Sequence, residues 1–246
     1  VVVFSLIVGL LSLVGIGLAS EGAHWSYAGE TGPDNWGELS EEYALCGTGM
    51  EQSPIDIPST APLNADNIAF SYQPTALNIV NNGHAIQVNY DEGSSIELDG
   101  MTYNLEQFHI HGLSEHTFDR THMDLEIHLV HKTESGDSAV VGFFVTRGAE
   151  NPAFAPVWEN LPPEEGEPQT IDGVTVNVDE LLPAERTYYR YDGSLTTPGC
   201  DEGVKWIVLN TPVELSDAQV NAFQQIYHNT YRPTQPFNDR QFLVTD

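Results

Sequence analysis

Two short stretches of this chain alternate polar and apolar residues so regularly that they leave little choice of fold. Gln107-Phe108-His109-Ile110-His111 and Glu126-Ile127-His128-Leu129-Val130 both read with period two. That is the repeat of a β-strand, whose side chains point to opposite faces in turn. Gln107, His109 and His111 therefore share one face, and Phe108 and Ile110 the other. In the second stretch Glu126, His128 and Val130 lie together, opposite Leu125, Ile127 and Leu129. Apolar residues at every alternate position mark both stretches as buried. Buried imidazoles need partners, because an unsatisfied polar group in a core is costly. If the two strands are neighbours, three imidazoles converge on one point. Three neutral nitrogens with a fourth position open is the arrangement of a catalytic metal site. A His-x-His pair alone recurs on unrelated folds; the alternation around it gives it weight.

Turn-forming residues divide the remainder into short runs. Ala69–Tyr72, Leu77–Val80 and Ala85–Tyr90 read as strands, with a tight turn at Asn82-Gly83 between the last two. Ser95–Leu98 and Met101–Leu105 flank Asp99-Gly100 as a hairpin, and its second arm runs on into the histidine strand. Asp124–His131 and Ala139–Thr146 form another around Ser135-Gly136-Asp137, and Gly173–Val178 and Trp206–Leu209 are strand-like. Closely spaced hairpins imply antiparallel pairing. Helix signals are few: Pro152–Asn160, and Ser216–Tyr227, where Ser216 and Gln219 fit a capping box and Val220, Phe223 and Tyr227 one apolar stripe. From Glu21 to Asp56 the chain is irregular and carries Trp25, Tyr27, Trp36 and Tyr43, whose burial is what would hold it to the body. The expected fold is α+β and predominantly β. It is a single domain over residues 20–246, built on a large, mostly antiparallel twisted central sheet with a few short peripheral helices.

Residues 1–19 form an uncharged apolar run ending near Gly17 and Ala19, the small residues of a signal-peptidase site. With no initiating Met and no basic start, the sequence is expected to be truncated there. The run is expected to be a signal peptide or an N-terminal hydrophobic anchor, approaching the ~20 residues that span a bilayer. Eight Lys and Arg stand against 36 Asp and Glu, a net charge of −28. That excludes nucleic acid as a partner, since phosphates need cations. It also leaves a membrane as a partner only if residues 1–19 are retained. A solvated acidic surface keeps a protein soluble in salt, and a saline habitat is the corresponding expectation. An exported protein with two cysteines, Cys46 and Cys200, is expected to pair them; two buried free thiols are the alternative. A bridge across so long a loop is worth roughly 4–5 kcal/mol in the chain-entropy model.

Gln107-Phe108-His109-Ile110-His111, Ser114-Glu115-His116-Thr117, Glu126 to His131 and Ser194-Leu195-Thr196-Thr197-Pro198 together resemble the α-class carbonic anhydrases. Gln52 to Ile57, Asn82-Gly83-His84 and Tyr231-Arg232-Pro233 extend the resemblance, in order, over nearly the whole chain. The resemblance implies an exported, periplasmic or extracellular zinc enzyme, monomer or homodimer, with CO2, bicarbonate and water as its small-molecule partners. It implies reversible hydration of CO2 by attack of a zinc-bound hydroxide. His109, His111 and His128 would hold Zn2+, and neutral ligands leave the full charge of the ion to acidify water. Gln107 and Glu126 would hold the outer nitrogens of the ligand rings. Glu115 would accept the Thr196 hydroxyl and so orient the nucleophile, with Thr197 lining the same pocket. Val130, Val140, Leu195 and Trp206 would form a hollow for CO2. His84 would shuttle protons as an exposed imidazole of ordinary pKa, with Tyr27, Asn82 and Gln87 holding the intervening waters. A bridge from Cys46 to Cys200 would pin the threonine loop.

The chain departs from the family pattern in two places. Only three residues separate His111 from Glu115, as in bacterial members. Gly199 stands after Pro198 where a second proline is common, which would loosen the loop. Two rivals are a catalytically inactive binding module on the same fold and a cupin-like metal oxygenase. The latter predicts iron or manganese with a Glu ligand, and leaves Ser194 to Pro198 without a role.

Overall fold

The computed structural model describes residues 23–65 and 68–244. The expected export segment, residues 1–19, lies outside them. Among the described residues thirteen strands follow in chain order: β1 (Asp56–Ile57), β2 (Ala69–Ser71), β3 (Thr75–Asn81), β4 (Ile86–Asn89), β5 (Ser95–Leu98), β6 (Met101–Gly112) and β7 (Thr117–Phe118), then β8 (Leu125–Lys132), β9 (Ser138–Arg147), β10 (Gln169–Val176), β11 (Tyr188–Ser194), β12 (Glu202–Leu209) and β13 (Val213–Leu215). All but β1 and β7 join one sheet, ordered β10-β3-β4-β6-β8-β9-β12-β11, with β5 on β6, β2 on β5 and β13 on β9.

The hairpins form where turn chemistry places them. Asp99 and Gly100 both take positive φ between Leu98 and Met101, the backbone that a two-residue hairpin turn needs. β3, β4, β6, β8 and β9 pair antiparallel in succession. The far side is different. β12 and β13 both run parallel to β9, and no local turn announces that, because a parallel neighbour returns through a long crossover. β11 carries Arg190 within a Tyr-rich run and has no expected counterpart. It is buried through Tyr188 to Tyr191 and pairs antiparallel with β12. Arg190 forms an ion pair with Asp99.

The apolar positions of the two histidine strands go where the alternation sends them. Phe108, Ile110, Leu125, Ile127 and Leu129 join the larger core, with Phe154, Leu181 and Phe223 from the short helices. Each such side chain is worth about 1.5–3 kcal/mol when buried. The helix Asp217–Gln224 starts as expected, with the reciprocal Ser216–Gln219 capping box. A second cluster covers the opposite face beside the imidazoles: Ile55, Ile57, Val140, Phe144, Tyr191 and Trp206 among others. The irregular N-terminal segment is tied down by rings. Trp36 is fully buried and its indole N–H donates to the carbonyls of Ser26 and Thr31.

Candidate metal centre

Register brings the three imidazoles together. On β6 and β8, His109 faces His128, His111 faces Glu126 and Gln107 faces Val130. One ring nitrogen from each of His109, His111 and His128 lies within 4.8 Å of the others. The opposite nitrogen of every ring is engaged. His109 Nδ1 meets Gln107 Oε1 at 2.9 Å, His111 Nδ1 meets the Thr230 carbonyl at 2.6 Å, and His128 Nε2 meets Glu126 Oε1 at 2.8 Å. Since those acceptors take N–H protons, the inward nitrogens are left as lone pairs. Burial first, and the neighbouring imidazoles after it, hold the His109 pKa well below its usual value; burial lowers His111 as well. Those two rings are therefore held neutral, which is the state that binds a metal. His111 Nε2 is buried with no hydrogen-bond partner. An orphaned nitrogen at the focus of three lone pairs fits a bound divalent cation.

Behind the ligand face lies a closed network. Glu126 Oε1 also accepts from His116 Nδ1 at 2.7 Å, and its Oε2 accepts the His116 peptide N–H at 2.8 Å. His116 Nε2 meets the Tyr191 hydroxyl at 2.7 Å, and that hydroxyl meets Ser53 Oγ at 2.9 Å. Burial alone would raise the Glu126 pKa, but His116 and His128 outweigh it and hold the carboxyl well below its usual range. His116, Glu126 and His128 are themselves close enough to hold an ion. Their atoms are saturated by one another, however, so this trio positions His128 rather than forming a second site.

A cavity of about 260 Å³ opens on His109 and His128, lined by Val130, Val140, Leu195, Thr196, Thr197 and Trp206. All six are the expected pocket residues. The sheet arranges them, since Gln107, Val130, Val140, Trp206 and Tyr191 stand opposite one another across five strands. Glu106 and Lys132 form an ion pair at 3.0 Å and also line the cavity; neither was among the expected residues.

Glu115 differs from expectation. It is fully buried, its Oε1 accepts the Arg232 peptide N–H at 2.8 Å, and its Oε2 has no hydrogen-bond partner. The bond expected from the Thr196 hydroxyl is therefore not made. With one oxygen fixed by Arg232, the other turns to the imidazoles, 3.5 Å from His111 Nε2 and 3.8 Å from His128 Nδ1.

Cys46 and Cys200 are joined in a disulfide, a bond of oxidising compartments. Cys200 donates its N–H to the Thr197 carbonyl at 2.9 Å, so the bridge does tie the threonine loop to the N-terminal segment. Arg232 reinforces the same junction. Its guanidinium donates to Gln52 Oε1, the Ser53 carbonyl and the Cys46 carbonyl.

His84 is half-buried rather than exposed. Its ring stacks on Trp25 at 3.6 Å and 10°, and burial, with His24 beside it, lowers its pKa. Asn82 shapes the turn by accepting the N–H groups of His84 and Ala85. Its own amide donates to Gln87 Oε1 at 3.3 Å, and Gln87 donates onward to Asn89 at 2.7 Å. Tyr27 packs on Trp25 and Trp36, and burial, then the Glu115 charge, push its phenol well above the usual value. Among the described residues no hydrogen bond joins Tyr27 to Asn82 or Gln87.

The model of the family described as "Eukaryotic-type carbonic anhydrase" matches residues 31–245. The chain belongs to that family, the α-carbonic anhydrases. A carbonic anhydrase from Nostoc is 42% identical over 222 residues, 88% of this chain and 84% of the relative. One from Klebsiella pneumoniae is 43% identical, covering 89% of each chain. Among solved structures, the α-carbonic anhydrase of Thermovibrio ammonificans in complex with the inhibitor sulfanilamide aligns with a TM-score of 0.86. It is 42% identical and covers 91% of this chain and 100% of its own.

Membership puts the departures in context. Gly199 has φ +100, a conformation closed to proline, so the loop takes a path that a second proline could not follow. The cupin-like alternative falls with the fold. Besides Glu106 and Lys132, four residues around the centre were not assigned a role from the sequence: Thr230, Arg232, Tyr191 and Gly142, which stands opposite His128 on β9. Only Arg232 stood in a quoted motif, and no periodicity points from any of the four to the histidines.

Proposed function

We propose that this chain catalyses the reversible hydration of CO2 to bicarbonate and a proton, with Zn2+ held by His109, His111 and His128. The observation that carries this is the convergence of one nitrogen from each of three rings whose other nitrogens are all engaged. Zinc held there supplies a Lewis acid that makes a water molecule acidic near neutral pH. The chain does the rest. Gln107, Thr230 and Glu126 fix the tautomers and ring planes. Val130, Val140, Leu195 and Trp206 offer an apolar wall to a small apolar gas. Thr196 and Thr197 offer polar atoms on the other side, and the Glu115 carboxylate, held by the Arg232 peptide N–H, sets a negative charge beside His111 and His128. His84 carries the released proton outward, with Asn82, Gln87 and Tyr27 ordering the path. A metal-free binding module would leave His111 Nε2 and Glu115 Oε2 buried for no gain, at about 1–3 kcal/mol each.

Residues 1–19 as an export signal or anchor, a periplasmic or extracellular location, and an acidic surface suited to salt belong to the same proposal. The disulfide supports export. The direct test is CO2 hydration by the purified chain, with zinc content measured alongside. Activity abolished by a chelator and restored by zinc is expected. Full activity in metal-free protein, or none in the zinc-loaded protein, would refute the assignment.

A further inference from the structure

The turn that carries His84 is clamped to an acidic loop by one buried amide. Asn81, 4% exposed, ends β3. Its Oδ1 accepts the Gly83 N–H at 3.0 Å and the Tyr227 hydroxyl at 2.5 Å. Its Nδ2 donates to the Pro162 carbonyl at 3.2 Å, and its own carbonyl accepts the Gly166 N–H at 3.0 Å. Both ends of the segment from 162 to 166 are thus held against the turn. Glu165 immediately precedes the anchored Gly166, and its carboxyl group lies over Gly83. A Cβ at Gly83 would sit 3.0 Å from the Glu165 carboxyl carbon, and Gly83 has φ +86. Glycine is therefore needed twice, for the left-handed turn and for the close approach. His84 is the next residue.

We propose that Glu165 is a positioning residue for proton transfer: Asn81 fixes the loop that sets the Glu165 carboxylate over the turn presenting His84, and so places a negative charge there. The inference rests on the shuttle role given to His84 under Proposed function. The groups facing His84 define what Glu165 does. Burial against Trp25 and the neighbouring His24 both lower the imidazole pKa, and Glu165 is the group that opposes them. Tyr227, bonded to Asn81, has its phenol pushed up to about 12 by burial and Glu165, so it stays neutral and adds no charge. Without Glu165 the imidazole would bind protons more weakly still, further from the matched affinity at which a proton carrier works best.

The test is an NMR titration of the His84 ring in the full chain, its signal identified by loss in His84→Ala. A neighbouring surface carboxylate is worth about half a pH unit. Glu165→Gln should lower the His84 pKa by that much at low salt, and the shift should shrink in high salt. Glu165→Asp should keep most of it, and Glu167→Gln, on the same exposed loop, should change it little. The acidic limb of turnover in weak buffer should move with the titration. A His84 pKa unmoved by Glu165→Gln, or moved equally by Glu167→Gln, would overturn the inference. Undiminished weak-buffer turnover in His84→Ala would instead remove the shuttle role, whatever the titration gives.

Discussion

Replacing Glu126 with Gln tests how the chain would hold the proposed zinc. Glu126 accepts three hydrogen bonds, from the rings of His128 and His116 and from the His116 peptide. A glutamine has one oxygen and one NH2. If its oxygen stays with the two rings, the NH2 meets the His116 peptide N–H, donor against donor. If it turns over, the NH2 meets the rings, and His128 must place its proton on the metal-facing nitrogen. Either outcome leaves a buried donor unpaired, at about 1–3 kcal/mol, and removes the charge that makes His128 a better donor to metal. Loss of such an outer partner typically weakens metal binding 10–100-fold, or about 1.4–2.7 kcal/mol. We expect the zinc Kd, measured by competition with a chelator, to rise by that factor in Glu126→Gln while the circular dichroism stays native. Stability is read in parallel with and without zinc. An unchanged Kd would refute the role assigned to Glu126. Equal destabilisation of the metal-free and metal-loaded forms would place its contribution in folding instead.

Three further outcomes are expected. In Gly142→Ala the new methyl would lie 3.1 Å from Glu126 Oε1 and 3.5 Å from the His128 ring; overpacking of about 1–3 kcal/mol should weaken zinc binding and lower Tm together, measured by chelator competition and calorimetry. His131 is fully buried, with its Nε2 on the Tyr72 hydroxyl, and burial lowers its pKa to about 4. The unfolded chain takes up that proton near pH 6.5, so the stability is complete above 6.5 and is lost as pH falls toward 4, by about 2–3 kcal/mol at pH 4.5; His131→Gln should lose correspondingly less between pH 7 and 4.5 in urea unfolding, and parallel losses would count against the assignment. Replacing both Cys46 and Cys200 by Ser opens a loop of 154 residues and should cost up to about 5 kcal/mol in the chain-entropy model, with a lower denaturant midpoint and reduced turnover by the released Thr196–Thr197 loop; an unchanged midpoint would contradict it.

How much of this was legible beforehand depended on the range of the interaction. Period-two alternation placed the histidine strands, because one buried face dictates register: a slip of one residue would turn His109 and His111 into the larger core. Asp99-Gly100 marked its hairpin because few residues accept positive φ. The parallel neighbours β12 and β13 left no such trace, since their pairing with β9 is decided by packing across long crossovers. β11 was obscured by Arg190, whose charge is answered by Asp99, 91 residues away. The same division runs through the site. Gln107 and Glu126 lie two residues from their histidines and could be read off; the Thr230 carbonyl is 119 residues from His111 and could not. The Thr196–Glu115 bond came from family resemblance alone, and here Arg232 holds the carboxylate in another direction. His84 was read as exposed because nothing local shows that Trp25 lies across it.

The Thr230 carbonyl, the Arg232 peptide N–H and the Arg232 guanidinium all lie downstream of β13 and the helix Asp217–Gln224. A ribosome therefore releases the acceptor for His111 and the donor for Glu115 only after every strand of the described residues has been made. Until then the histidine-bearing sheet can form, but one ligand ring is unmoored and a buried carboxylate is unmet. A nascent chain, or one clipped ahead of Thr230, would have the scaffold without a finished centre, so the proposed zinc would be bound after synthesis rather than during it.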